Sequence, residues 1–406
     1  MDSGELAVLL TPEGLRLLDS LPLYSAGGSV QQVSALRKAG HPPELVAAVL
    51  TQARLREKAR AKFGAFAERL LYTPAGLEQA TRLKVAALHA GRFRDAGLGG
   101  ADPSGPGAGR IADLGCGIGA DALAMAALDL PVVAVERDEV TAVIAAYNLA
   151  GFPTAEVVLG DAETFPLDDV AAVYLDPARR TAGTANTRRL TRPEDYSPTI
   201  DFAFALAERM PTGIKLGPGF DRSAIPAAAE AQWVSVDGQV VELGLWFGAL
   251  ARPGIRRSAL VLDDSGAAEL SAEADSADLP TRELGEYLYE PDGAVIRARL
   301  IGALGERLGA GMLSRDIAYL TGDELVATPF ADAFHVRERL PAGEAQLKRA
   351  LRERRIGTLE IKKRGIDVDP AALRTRLGLK GPEAATLILT RVAGAHEALL
   401  VDRVAG

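Results

Sequence analysis

What this chain of 406 residues lacks narrows its chemistry first. It has one cysteine, Cys116, which excludes an internal disulfide framework and a multi-cysteine metal site. Its four histidines, His41, His89, His335 and His396, are scattered without ligand spacing, so no metal site is expected. No stretch approaches about 18 uninterrupted apolar residues, the length a membrane span needs. The opening MDSGELAVLL has no basic segment ahead of a long apolar one, so the expectation is a soluble, cytoplasmic chain. Positive charge is also lacking. The formal net charge of -8 excludes a chain that is basic throughout, and any contact with a polyanion must be local. The 48% of hydrophobic residues is enough for cores in two or three domains.

What is present is organised around Ile111–Asp121, IADLGCGIGAD. Apolar residues run into Asp113, glycines follow at Gly115, Gly117 and Gly119, and a helical pattern begins. Glycine lets the backbone approach a ligand closely, and the N–H groups at a helix start are open to it. Strand and helix signals then alternate. Strands are predicted at Arg110–Asp113, Val132–Glu136, Glu156–Leu159, Val170–Leu175 and Gly213–Leu216, then at Trp233–Val236, Val240–Phe247 and Ser258–Leu262. Helices fall near Asp121–Leu128, Glu139–Ala150 and Asp201–Arg209. Such alternation predicts an α/β fold, a Rossmann-like doubly wound sheet that binds ligands at the carboxyl ends of its strands. Asp113, Glu136, Asp161 and Asp176 all fall at or just beyond those ends. A dinucleotide dehydrogenase also pairs glycines with a later acid. The ordered set of four acids favours another family.

That set resembles the class I S-adenosylmethionine-dependent methyltransferases. Asp113 to Gly119 matches the glycine motif of the family, and Glu136 stands where the family places an acid on the ribose hydroxyls. Gly160-Asp161-Ala162 falls where an Asp meets the adenine amino group, and Asp176-Pro177-Ala178-Arg179 where the catalytic motif lies. The resemblance implies S-adenosylmethionine as cofactor, held by Asp113, Gly115, Cys116, Gly117, Gly119, Glu136, Arg137, Asp161 and Ala162. It places catalysis on Asp176, Pro177 and Arg179.

The acceptor is less defined. Related enzymes that methylate exocyclic amines carry Asp/Asn/Ser-Pro-Pro-aromatic after the fourth strand; here Ala178 replaces the second proline and Arg179 the aromatic. An Arg plane can stack on a base or hold a phosphate. Carbon-5 methylation of pyrimidines needs a cysteine nucleophile, and Cys116 lies inside the glycine turn. The polar stretch after the motif has five arginines from Arg179 to Arg192 against Glu194 and Asp195, which suits an anionic substrate; an ordinary exposed loop is the bland alternative. Arg180, Arg188, Arg189, Tyr196 and Lys215 are the candidate substrate contacts, Lys215 pointing either into the site or into a local ion pair.

The flanking segments complete a four-part division: a helical segment and linker over 1–109, the methyltransferase domain over 110–263, a linker over 264–285 and an α+β module over 286–406. In the first, Thr51–Leu71 is strongly helical, and its basic half (Arg54, Arg56, Lys58, Arg60, Lys62) reads as a solvated face or a polyanion contact. Tyr72 and Thr73 are weaker candidates for lining the site, and one helix is predicted from Ala75 to about Ala90. In the last, YLYEPDGAVIRA and EIKKRGIDVDP resemble the THUMP-like domain appended to a bacterial subset of these methyltransferases. A looser similarity reaches the trimethylguanosine synthases. THUMP domains proper bind RNA, so the resemblance implies RNA as partner by analogy. A basic run from Lys348 to Arg364 agrees locally. The leading expectation is an RNA methyltransferase acting on a base nitrogen in tRNA or rRNA. The alternatives are a small-molecule or protein acceptor, and an RNA-binding protein with a vestigial cofactor pocket.

Overall fold

A computed structural model describes residues 2–21, 29–100, 108–179 and 196–404. It comprises two compact units, residues 1–215 with 246–251, and residues 216–245 with 252–406.

The first unit begins with helices. Helix α1 (Ser3–Leu9) starts on a capping box between Asp2 and Glu5, and α2 (Pro12–Ser20) on Thr11 with proline in its first turn. Helices α3 (Ser29–Lys38) and α4 (Pro43–Phe63) follow. Leu45, Val49, Gln52, Arg56, Ala59 and Phe63 recur every three or four residues of α4, and this is its buried face. Two of the five basic residues of α4 are therefore not a solvated face: Arg56 is buried, and Lys62 donates inward to carbonyls. The single helix expected from Ala75 is two, α5 (Pro74–Gln79) and α6 (Leu83–Asp95), because Ala80 and Arg82 adopt extended ψ values of 137° and 136°.

Then come β1 (Arg110–Leu114), α7 (Ala120–Ala126), β2 (Val132–Glu136), α8 (Glu139–Leu149), β3 (Ala155–Leu159), β4 (Val170–Leu175), the short pair β5 (Ala178–Arg179) and β6 (Tyr196–Ser197), α9 (Ile200–Ala207) and β7 (Thr212–Leu216). The parallel strands lie in the order β7–β4–β1–β2–β3, so the order reverses beside β1, whose end carries the glycine turn. A doubly wound sheet binds its ligand at this switch point. One continuous core joins Leu9, Val49, Phe63 and Tyr72 of the helical segment to Ile111, Met125, Ile144 and Trp246, which is why packing groups the N-terminal helices with the sheet. Trp246 is 1% exposed among His89, Phe93 and Tyr174. A Cβ on Gly213 would stand 2.7 Å from its ring, which explains a glycine in a central strand.

The second unit contains β8 (Glu230–Val236), most of β9 (Gln239–Phe247), β10 (Arg257–Asp263) and β11 (Gly266–Ala272), ordered β11–β10–β8–β9. Strand β11 corrects the sequence reading, in which the acidic stretch from Asp263 is a connection; it pairs antiparallel with β10 from Ala272 to Gly266. Trp233, also 1% exposed, lies in β8 and donates to the Pro218 carbonyl. The unit continues with β12 (Tyr287–Pro291), α10 (Gly293–Arg297), α11 (Ile301–Leu308), β13 (Gly311–Ser314), β14 (Ile317–Gly322), β15 (Ala331–Leu340), α12 (Glu344–Glu353), β16 (Ile356–Lys363), α13 (Pro370–Leu377), β17 (Glu383–Val392) and β18 (Ala395–Val404). Its second sheet has seven strands, ordered β13–β14–β12–β15–β18–β17–β16. Asp292 caps α10, the helix stops at Arg297, and Arg299 takes a φ of 60° before α11 begins.

One ion cluster ties this unit together. Glu230 is fully buried and accepts from Arg252 Nε at 3.0 Å; Glu269 accepts from Arg252 Nη1 at 2.5 Å, from Ser258 and from Gln232. Burial opposes ionisation of Glu269, yet these donors outweigh it and hold the carboxyl at about 2. Arg252→Met would strand two carboxylates and should lower the unfolding free energy by about 3 kcal/mol in a denaturant titration. The stabilisation from Glu269 is fully present above the ordinary carboxylate range and is lost as pH falls towards 2.

Candidate active site

At the end of β1 the chain turns through Gly115, Gly117 and Gly119 with φ of 87°, 56° and 83°, a left-handed region that other residues avoid. Gly119 then stands at the N-cap of α7. This turn forms one wall of a cavity of about 530 Å³, a size that suits a cofactor. Glu136 closes β2 beside it. Its Oε2 accepts from the Gly117 N–H at 3.0 Å and its Oε1 from the Asp138 N–H at 2.8 Å, so the carboxylate is fixed before any ligand arrives. Arg137, Gly160, Asp161 and Ala162 continue the wall, with Asp161 Oδ1 held by the Glu163 N–H at 2.9 Å.

Asp113 also lines the cavity and is 1% exposed. Its Oδ2 has no hydrogen-bond partner among the described residues. Burial, then repulsion from Asp121 and Asp176, pushes this carboxyl well above its usual range; Lys215 and the Ala122 N–H act against that. A buried polar atom left unmatched in a cavity is open to a polar group of a ligand. The Cys116 thiol lines the cavity too and is pushed well up, by burial and by the charges of Asp113 and Glu136, which disfavours the reactive thiolate.

Asp176 follows β4 and opens on the same cavity. Lys215, from β7, forms an ion pair with it and donates to Thr81 Oγ1 at 2.9 Å and to the Gln79 carbonyl at 3.3 Å. Of the two orientations left open for Lys215, the structure has the local ion pair. Behind it runs a buried network. Thr81 Oγ1 donates to Asp121 Oδ2 at 2.6 Å, His89 Nδ1 is 2.9 Å from Asp121 Oδ1, and the Tyr174 hydroxyl is 2.9 Å from the same nitrogen. Burial opposes the charge on Asp121, but His89, Lys215 and Thr81 together hold its carboxyl below the usual range.

The other predicted contacts are distributed as follows. Pro177 is buried next to Asp176, and Arg179 pairs with Tyr196 along the β5–β6 backbone. Tyr196 is 5% exposed and is not among the lining residues, so its ring packs inside the fold instead of standing open to stack on a base. Arg180, Arg188 and Arg189 lie outside the described residues. Thr73 lines the cavity, whereas Tyr72 is fully buried with its hydroxyl on the Ala67 carbonyl. Sequence reasoning missed Gly76, Gln79, Thr81, Ser197 and Pro198 as lining residues. Gly76 had a signal, since a Cβ there would stand 2.4 Å from Ile118 Cγ2 of the glycine turn.

The comparisons with known proteins agree with this geometry. The chain is 32% identical over 347 residues to an uncharacterized S-adenosylmethionine-dependent methyltransferase of Mycobacterium tuberculosis, in strain H37Rv and in strain CDC 1551, covering 83% of this chain and 90% of the relative. A crystal structure from Porphyromonas gingivalis W83, described as that of a methyltransferase, superposes with a TM-score of 0.71 at 21% identity, over 95% of this chain and all of the other. This chain belongs to the S-adenosylmethionine-dependent methyltransferases. Within them it carries a C-terminal THUMP-like domain: the family model described as THUMP domain-like matches residues 331–403. A second model, a domain of unknown function (DUF8688), matches residues 2–59.

Proposed function

We propose that this methyltransferase acts on a base nitrogen in RNA, with Asp176 as the residue that orients the acceptor. The observation that carries the reading is the placement of Asp176: it opens on the cavity that Glu136 and Asp113 line, and Lys215 fixes it there. In this reading Glu136 receives the ribose hydroxyls, Asp161 the adenine amino group, and Asp113 with the Gly115–Gly119 turn the methionine end. S-adenosylmethionine would supply a methyl carbon bonded to a sulfonium sulfur, which needs no further activation. The protein has then to align a lone pair with that carbon and exclude other geometries. Asp176 would accept a hydrogen bond from the acceptor N–H, turning the nitrogen lone pair towards the methyl carbon, and would take up that proton as the new N–C bond replaces the S–C bond.

RNA as the acceptor is supported by the likeness of the C-terminal module to THUMP domains. The basic run there adds less than its sequence implies. Lys362 pairs with Glu290 at 2.5 Å, Arg364 with Glu290 at 3.5 Å, Arg354 with Glu338 at 2.5 Å and Arg349 with Glu353 at 3.8 Å. This partial pairing weakens the basic run as support for RNA, and the second reading is a small-molecule or protein acceptor. Transfer of labelled methyl groups to total RNA from a deletion strain decides between them. The expected result is one labelled nucleoside methylated on a base nitrogen; unlabelled RNA, with label entering the protein or small-molecule fraction of an extract of the same strain, would refute the RNA reading.

A further inference from the structure

We propose that Lys62 is a positioning residue of the methyl-transfer site, acting from α4 through the short helix α5 on the wall of the cofactor cavity. Helix α5 has six residues, too few to be stable by itself, and its terminal carbonyls lack partners within the helix. Lys62 Nζ supplies them. It donates to the carbonyls of Leu77 at 2.9 Å, Glu78 at 2.6 Å and Ala80 at 2.7 Å. The fourth carbonyl in the series, that of Gln79, is taken by Lys215, the lysine that fixes Asp176. A cation at a helix C-terminus also meets the negative end of the helix dipole.

What α5 presents on its other side gives the clasp its role. Ala75, Gly76 and Gln79 of α5, with Thr81 just beyond it, line the cavity, and Gly76 lies against Ile118 of the glycine turn. The position of α5 therefore sets the width of the cofactor site, and Lys62 sets the position of α5. The site of Lys62 is not a casual one for a lysine. Burial, then repulsion from Lys215 and Arg82, lowers its ammonium to about 8, with Glu78 and Asp176 acting in the opposite sense. It remains charged at neutral pH, with three donors for three carbonyls.

The inference depends on S-adenosylmethionine binding in this cavity and is independent of the nature of the acceptor. Its test uses the full-length protein, S-adenosylmethionine calorimetry and hydrogen exchange without ligand. Lys62→Met should weaken S-adenosylmethionine binding by about tenfold. It should speed exchange of the amides over 76–81 and leave exchange in the sheet strands unchanged. Lys62→Arg keeps the charge and donors but spreads them over a planar fork, so its affinity should fall between wild type and Lys62→Met. Wild-type affinity in Lys62→Met, or local loosening of α5 without a change in affinity, would overturn the proposal. So would a loss of protection spread over the whole unit in both variants, because Lys62 would then serve folding alone.

Discussion

Asp176→Ala should lower methyl transfer by about 10²- to 10⁴-fold and leave S-adenosylmethionine affinity within about threefold of wild type. The separation follows from the geometry. Asp176 stands at the end of β4, while the groups assigned to the cofactor stand on β1, β2 and the turn after β3. Its side chain is 29% exposed, and Lys215 retains Thr81 and the Gln79 carbonyl when it is removed, so the fold should survive. Asp176→Asn keeps the shape and one acceptor oxygen but loses the ion pair, and it should fall between wild type and alanine. Single-turnover rates with saturating cofactor, set beside calorimetric affinities, measure the two quantities separately. A parallel fall in rate and affinity would place Asp176 in cofactor binding and remove it from acceptor orientation.

Glu136→Ala should have the largest effect on the cofactor itself, a loss in affinity on the order of 100-fold. Hydrogen bonds to a charged group contribute about 1.5–3 kcal/mol each, and a carboxylate facing two adjacent hydroxyls can accept both. A second loss adds to this one. The Gly117 and Asp138 N–H groups both rest on Glu136, so the alanine variant also releases the glycine turn. Glu136→Gln keeps one acceptor oxygen and should lose less. Calorimetry with S-adenosylmethionine reads both variants, and an affinity within threefold of wild type in Glu136→Ala would exclude the assignment.

Much of the cavity lining is legible in the sequence, because Asp113, Glu136, Asp161 and Asp176 each belong to a local pattern. Asp113, Glu136, Asp161 and Asp176 each end or follow a strand, and a strand followed by its acid is read within a few residues. The acceptor side and the supporting network are not local. His89 and Asp121 are 32 residues apart, and only the packing of α6 against α7 brings them together. Lys62 was hidden for a different reason. Alternating basic residues in a helical pattern read as solvent-facing, and an inward ammonium gives no hydrophobic signal. Gln52 and Arg56 were more accessible, since both interrupt an otherwise apolar stripe at positions that predict burial. Strand β11 was missed because GAAELSA has small and polar residues where a strand usually carries branched or aromatic ones. The break between α10 and α11 has neither glycine nor proline at Arg299 to announce it.

The two tryptophans have a practical consequence. One indole, Trp246, belongs to the first unit and the other, Trp233, to the second, and each is 1% exposed. The protein thus contains one intrinsic fluorophore per unit, each starting from a dry environment and shifting to the red when its own surroundings open. Trp233→Phe leaves indole emission from the first unit alone, and Trp246→Phe leaves indole emission from the second. Melting curves from the two single-indole proteins would report the surroundings of each indole separately, with no attached dye.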